Sequence, residues 1–187
     1  MQRRNIVMDD NRIAMLLNFS KDIDLFVRMY YRSEVVKKIA SAGIPITLVG
    51  GGWDRIWREI PSNVTVLPPT NFVGVFPYMQ KAQITLTVMP WFKAGTHDRI
   101  FNSLMHYSCP LTDGSSWLFE NFIENKECAY YSLEHLDKLP EQIDYLLYHV
   151  EERDKIIKNG RKKVLNHFTS KHIAEMVLMY LQKYYTK

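Results

Sequence analysis

Several signatures that would announce a chemistry are scarce or missing in this chain. Only two cysteines occur, Cys109 and Cys128. They lack metal-ligand spacing and both sit beside predicted strands, which points to reduced, buried thiols rather than a disulfide or a zinc site. His106, His135, His149, His167 and His172 fall on different predicted elements from His97, which argues against a metal cluster. No apolar run approaches the roughly 20 residues that span a bilayer. The N-terminus MQRRNIVMDDN lacks the apolar core of a signal peptide, so a cytoplasmic location is expected. There is no Walker loop, no serine in a nucleophile-elbow pattern, no internal repeat and no low-complexity segment. The net charge is only +4 and the pI near 9.0. That balance suits phosphate-bearing ligands or contact with an anionic membrane surface, and it does not single out nucleic acid.

What is present is an ordinary globular composition, 47% hydrophobic and 13% aromatic over 187 residues, enough for one domain with a real core. Residues 1–11 read as a polar tail or linker remnant, and residues 12–187 as the domain. Ile13 to Asn18 reads as a strand, followed by a polar turn at Phe19 to Asp22 and a helical stretch to about Ala42 with Val35, Val36 and Ile39 on one face. IPITLV is a β-branched strand ending in Gly50, Gly51 and Gly52; Asn63 to Leu67 is another, closed by two prolines; a helical segment runs from about Val73 to Lys81. Strands at Ile84 to Val88, Leu111 to Asp113 and Cys128 to Tyr131 follow, with a short helix after the cap-like serines at 115 and 116. From Leu139 onward the chain is helical, with Pro140 at a first helical position, Gly160 ending the helix of Ile156 and Ile157, and a last helix over about 170–185. Strands alternating with helices at this spacing predict an α/β fold, a doubly wound, mainly parallel sheet of about six strands with C-terminal helices. In such sheets ligands bind beyond the carboxyl ends of the strands. That edge collects Asn18 to Lys21, Gly50 to Arg55, Pro68 to Asn71, Pro90 to Arg99 and Asp113 to Ser116.

The stretch from Ile84 to Asp113 carries the chemistry. A glycine-bearing loop containing Lys93 and Gly95 feeds a helix predicted to open at Thr96, an N-cap residue type. Ile100, Phe101, Leu104 and Tyr107 pin one face of that helix to the sheet. Where a capping box would place Glu stands Arg99, with His97 just before it. A helix start has unpaired N–H groups and a favourable dipole, so with Arg99 added it suits a phosphate or diphosphate. His97 is of a type to act as a general base or as a donor to a sugar hydroxyl or phosphate. Asp113 closes a strand at the same edge, where an Asp before Gly also simply makes a turn. Trp53, Trp57, Tyr78, Trp91 and Phe92 lie in or near these loops and offer stacking surfaces as well as packing.

The glycine triplet does not complete a dinucleotide fingerprint. Gly50 and Gly52 are followed by Arg55, and the next strand ends Val66-Leu67-Pro68 without the acidic residue that would hold a ribose. The same gap disfavours a dehydrogenase or an S-adenosylmethionine-dependent methyltransferase.

Taken together, Val49-Gly50-Gly51-Gly52-Trp53, Ala94-Gly95-Thr96-His97-Asp98-Arg99-Ile100-Phe101-Asn102, Cys109-Pro110-Leu111-Thr112-Asp113 and Leu118-Phe119-Glu120 resemble the C-terminal, donor-binding half of group 1 GT-B glycosyltransferases, in the spore-maturation-protein-like branch. Arg153, Gly160 and His167 fall where that branch has its spaced Arg, Gly and His. The resemblance implies a Rossmann-like half of a GT-B architecture and transfer of a sugar from a UDP- or GDP-type donor, with no cofactor and no metal. It implies a diphosphate against the Thr96 helix end, with His97 and Arg99 in catalytic positions. Gly51, Gly52, Trp53, Lys93, Gly95, Thr96, Asn102 and Asp113 would line the donor. Asn102 stands where many relatives carry a Glu that holds ribose hydroxyls, and Ala94 at the position of the partner Glu near the sugar. The acceptor, a glycan, lipid or protein, would be held by an N-terminal domain outside this chain. The alternative implied by positions 94 and 102 is a non-catalytic module that binds a nucleotide or a partner.

Overall fold

A computed structural model describes residues 9–185. These form seven α-helices and five short strands. The order is α1 (Asp10–Ser41), β1 (Ile46–Val49), β2 (Val64–Leu67), α2 (Phe76–Lys81), β3 (Ile84–Thr87), α3 (Asp98–Met105), β4 (Cys109–Thr112), α4 (Ser116–Asn121), β5 (Ala129–Tyr130), α5 (Leu139–Tyr148), α6 (Val150–His167) and α7 (Ser170–Tyr185). All strand pairs are parallel, and helices connect them, so the fold is α/β as expected.

Instead of one sheet of six strands there are two sheets, β1-β2 and β3-β4-β5, with no ladder joining them among the described residues. The missing strand is the one expected at Ile13 to Asn18, which lies inside α1. Ala, Met and Leu are good helix formers, no Gly or Pro interrupts residues 10–41, and the Phe19 to Asp22 segment cannot break the helix on its own. Asp9 caps the start by accepting from the Arg12 N–H at 2.8 Å. Asn18 to Lys21 therefore belong to a helix and not to the ligand-binding edge. Most of the expected tail lies outside the described residues, and its last two residues, Asp10 and Asn11, open α1.

Only the last turns of α1 are buried, and they join the two sheets. Val35 and Ile39 enter the cluster of Cys109, Leu111, Ala129 and Ile143, while Val36 and Ala40 pack with Leu48 and Val64. A third cluster, with Ile100, Leu104, Leu118, Phe122 and Val164, fixes α3 between the β3-β4-β5 sheet and α6. Both cysteines are free and buried, and burial raises the Cys109 thiol to about 12 and the Cys128 thiol further. Gly160 does not end a helix. It lies inside α6, where a Cβ would sit 2.3 Å from the Glu127 carbonyl oxygen and 2.7 Å from Leu104 Cδ2. Arg153, also buried, donates from Nη1 to the Leu146 and Leu147 carbonyls at 2.9 and 3.1 Å, closing the last turn of α5.

Candidate functional site

The carboxyl ends of β1, β3 and β4 carry the predicted residues. After β1, Gly50 and Gly52 take positive φ values of 128° and 86°, a turn that L side chains rarely adopt, and the chain enters a single helical turn at Trp53. After β4, the Asp113 side chain is fully buried and engaged at both oxygens: it accepts from the Met89 N–H and from Lys93 Nζ, each at 2.6 Å. Lys93 Nζ also reaches the Gly114 carbonyl at 3.2 Å, and Ser116 donates from N and Oγ to the Lys93 carbonyl at 2.8 and 2.9 Å. Lys93 and Asp113 thus strap the 90–95 loop to the β4–α4 turn, and the Lys93 charge is already matched. Gly95 lies in the same loop, where a Cβ would meet the Phe92 ring at 2.4 Å.

The helix expected to open at Thr96 begins two residues later, at Asp98. His97 is the cap, because its Nδ1 accepts from the Arg99 N–H at 3.1 Å, whereas the Thr96 hydroxyl makes only a 3.4 Å contact with the His97 carbonyl. His97 Nδ1 also lies 2.5 Å from Asp98 Oδ1. It accepts from the amide only when unprotonated and donates to Asp98 only when protonated. Burial, followed by the Arg99 charge, lowers the imidazole pKa from its ordinary value against the opposing pull of Asp98, which favours the neutral form that can cap the helix. Asn102, one turn on, donates from Nδ2 to Asp98 Oδ2 at 3.3 Å. Together with Phe72, Phe76 and Met79, the residues 97–99 and 102 line a cavity of about 90 Å³.

One residue of this site is absent from the sequence-based set. Arg32 of α1 places its guanidinium over the Trp53 ring, 5.3 Å from the centroid. It is close enough to Arg99 and His97 for its charge to disfavour theirs. The Arg99 guanidinium is held below its ordinary value first by burial and then by Arg32; Arg32 is lowered by burial. Neither has a carboxylate within ion-pairing distance among the described residues. Arg99 is half-buried and Arg32 exposed, so the two like charges meet at a solvated edge, offset only in part by the neighbouring Asp98, and an anion joining them would relieve their repulsion. The adjacent pair, Arg28 over Trp91 at 4.1 Å, differs in having Asp24 as a salt-bridge partner. In the sequence Arg32 is one more charge on a long helix, and only the fold carries it to Trp53.

Trp53, His97 and Arg99 are thus linked through Arg32; Gly51 and Gly52 precede Trp53 in its turn, Thr96 and Asn102 belong to the α3 start, and Lys93, Gly95 and Asp113 build the neighbouring loop. Among the described residues there is no group of His, Cys, Asp and Glu able to hold a metal ion, and no helix long and apolar enough to cross a membrane. No curated protein matches the chain. A family model described as glycosyl transferase-like matches residues 32–179, from Arg32 itself into α7. With a match over most of its length, and parallel strands ending in this cationic edge, the chain belongs to the glycosyl transferase-like family.

Proposed function

We propose that this chain is the donor-binding domain of a GT-B glycosyltransferase and binds the diphosphate of a nucleotide sugar between Arg99 and Arg32. The observation that carries this reading is the pair of guanidinia without an ion-pair partner among the described residues, set beside the start of α3. A diphosphate placed there receives charge-assisted hydrogen bonds from both, and it lies near the positive end of the helix dipole. The same groups offset the charge that develops on the leaving diphosphate, so protein cations serve where a metal otherwise would. Arrival of the anion raises the His97 pKa, which favours the protonated ring, its Nδ1–H donating to Asp98 and its Nε2–H donating with charge assistance toward the phosphate or a sugar hydroxyl. Lys93 and Asp113 act by holding the loop in place. Asn102 hydrogen-bonds the ribose in place of a carboxylate.

The acceptor, in this reading, is held by a second domain. The apolar residues on the free half of α1 and along α7, among them Leu17, Phe26, Met179 and Tyr180, are exposed and form the surface it would cover. A second reading, a binding module without turnover, is favoured by Ala94 and by Asn102, which replace both carboxylates of the resemblance.

Calorimetric titration with UDP, GDP, NAD and S-adenosylmethionine tests the proposal. Saturable binding of one nucleoside diphosphate is expected, weakened roughly 30-fold in Arg99→Ala and in Arg32→Ala, as befits about 2 kcal/mol for a charge-assisted contact. A folded protein that binds neither diphosphate, or binds one equally well without either arginine, overturns it.

A further inference from the structure

Away from the arginine pair, at the edge strand β5, a cavity of about 370 Å³ opens between β5, α5 and α6. None of the residues discussed above for the diphosphate lines it. Its apolar lining comes from Ala129, Leu146 and Ile156, all buried, and its rim from Asn125, Glu141, Gln142, Tyr145 and Glu152, all exposed. We propose that this cavity is a second site, which binds a neutral saccharide.

The chemistry of the rim selects that class. Four of its five polar side chains end in planar groups: the amides of Asn125 and Gln142 both give and take hydrogen bonds with adjacent sugar hydroxyls, and the carboxylates of Glu141 and Glu152 accept them. Gln142 spends one N–H on the Tyr130 carbonyl, at 3.5 Å, and keeps its carbonyl oxygen and second N–H. The fifth, Tyr145, offers a ring: its stack with His149, centroids 4.0 Å apart and 20° from parallel, steadies it as a platform for the C–H face of a pyranose. A cationic ligand suits the cavity less well. Glu152 is already paired with Lys155 at 2.8 Å, and Glu141 sits in the first turn of α5, where the helix dipole compensates it. The volume falls in the lower part of the range for small-ligand sites and accommodates one or two sugar rings. The proposal stands on this lining alone, so it survives or fails independently of nucleotide binding.

Saturation-transfer NMR on the full chain with maltotriose, cellotriose and triacetylchitotriose, each alone and with spermidine as competitor, tests it. At least one trisaccharide is expected to show saturable transfer, reduced tenfold or more by Tyr145→Ala and by Gln142→Ala and retained in Tyr145→Phe, where the ring face remains. Arg99→Ala is expected to leave it unchanged. Tyr145 and Gln142 are exposed, so these variants fold, and circular dichroism verifies it. No saturable transfer from any of the three sugars, or transfer indifferent to Tyr145→Ala, overturns the proposal. Binding of spermidine with displacement of the sugars by one equivalent also overturns it, in favour of an amine site.

Discussion

Gly160→Ala puts two opposing effects on one atom. By helix propensity the change is favourable, since a glycine inside a helix costs up to about 1 kcal/mol relative to alanine, and the unfolded chain also loses freedom. The packing reverses the sign. The new methyl would lie 2.3 Å from the Glu127 carbonyl oxygen and 2.7 and 3.0 Å from the two Leu104 methyls. Leu104 is fully buried and a carbonyl cannot rotate aside, so α6 must move off the β5 approach and off α3. Overpacking of this kind costs about 1–3 kcal/mol, here at the upper end because one obstacle is backbone. After subtracting the propensity gain the net loss is about 2 kcal/mol, which in a chain of this size lowers the melting temperature by roughly 4–8 °C. Urea unfolding followed by circular dichroism measures it, with the denaturant slope checked for constancy. Combining the change with Leu104→Val separates the obstacles: the part due to the leucine methyls is relieved, and the part due to the carbonyl persists. A Gly160→Ala protein as stable as the parent would refute the close approach of α6 to Glu127.

Arg153→Met keeps the stem but leaves the Leu146 and Leu147 carbonyls without their donor, and is expected to cost about 3 kcal/mol in urea unfolding; an unchanged midpoint would show that the capping bond carries no weight. For Cys109 the folded pKa is raised from 9.0 to about 12, so the unfolded chain loses its proton first. The stability it contributes is full below about 9 and falls by about 1.4 kcal/mol per pH unit from there to about 12. Cys109→Ala is expected to flatten that alkaline limb, and neither thiol should react with Ellman's reagent at pH 8 until the protein is unfolded. His97 runs the other way. Its folded pKa lies below the ordinary 6.5, so the unfolded state binds more protons, and its effect is a loss of stability as pH falls from about 6.5 through the folded value. His97→Asn retains a cap-competent side chain and should remove that acid-side slope while leaving neutral stability nearly intact; a slope that persists would assign it to other groups.

The strands from Ile46 onward, the buried cysteines, the serine-capped α4 and the last helix were legible in the sequence because each rests on local pattern: β-branched runs, glycine and proline punctuation, apolar spacing. The expected first strand is absent because Ile13 to Asn18 is apolar enough for either form, and what decides is the unbroken helical context reaching to Ser41. Thr96 carries the better cap chemistry by residue type, but the imidazole of His97 is the group that meets the Arg99 amide. Gly160 looks like punctuation in the sequence, since nothing local distinguishes a glycine that stops a helix from one that admits a neighbouring carbonyl. The edge bearing His97 and Arg99 was foreseeable from the helix start alone. Arg32 was not, because its role depends on a contact across some twenty residues with Trp53, and the mutual engagement of Lys93 and Asp113 likewise appears only once β3 and β4 are paired in register.

The break between the two sheets sets the mechanical compliance of the arginine pair. Backbone ladders resist sliding because a shift breaks several hydrogen bonds at once, whereas side-chain packing yields in small steps. The Gly50–Trp53 turn rides on the β1-β2 sheet and Arg99 on α3 beside β3-β4-β5, while Arg32 stands on α1, whose buried end packs into the cores of both. An anion bound between the two arginines, as proposed, would therefore tie α1 to α3 across a seam that no strand ladder crosses among the described residues.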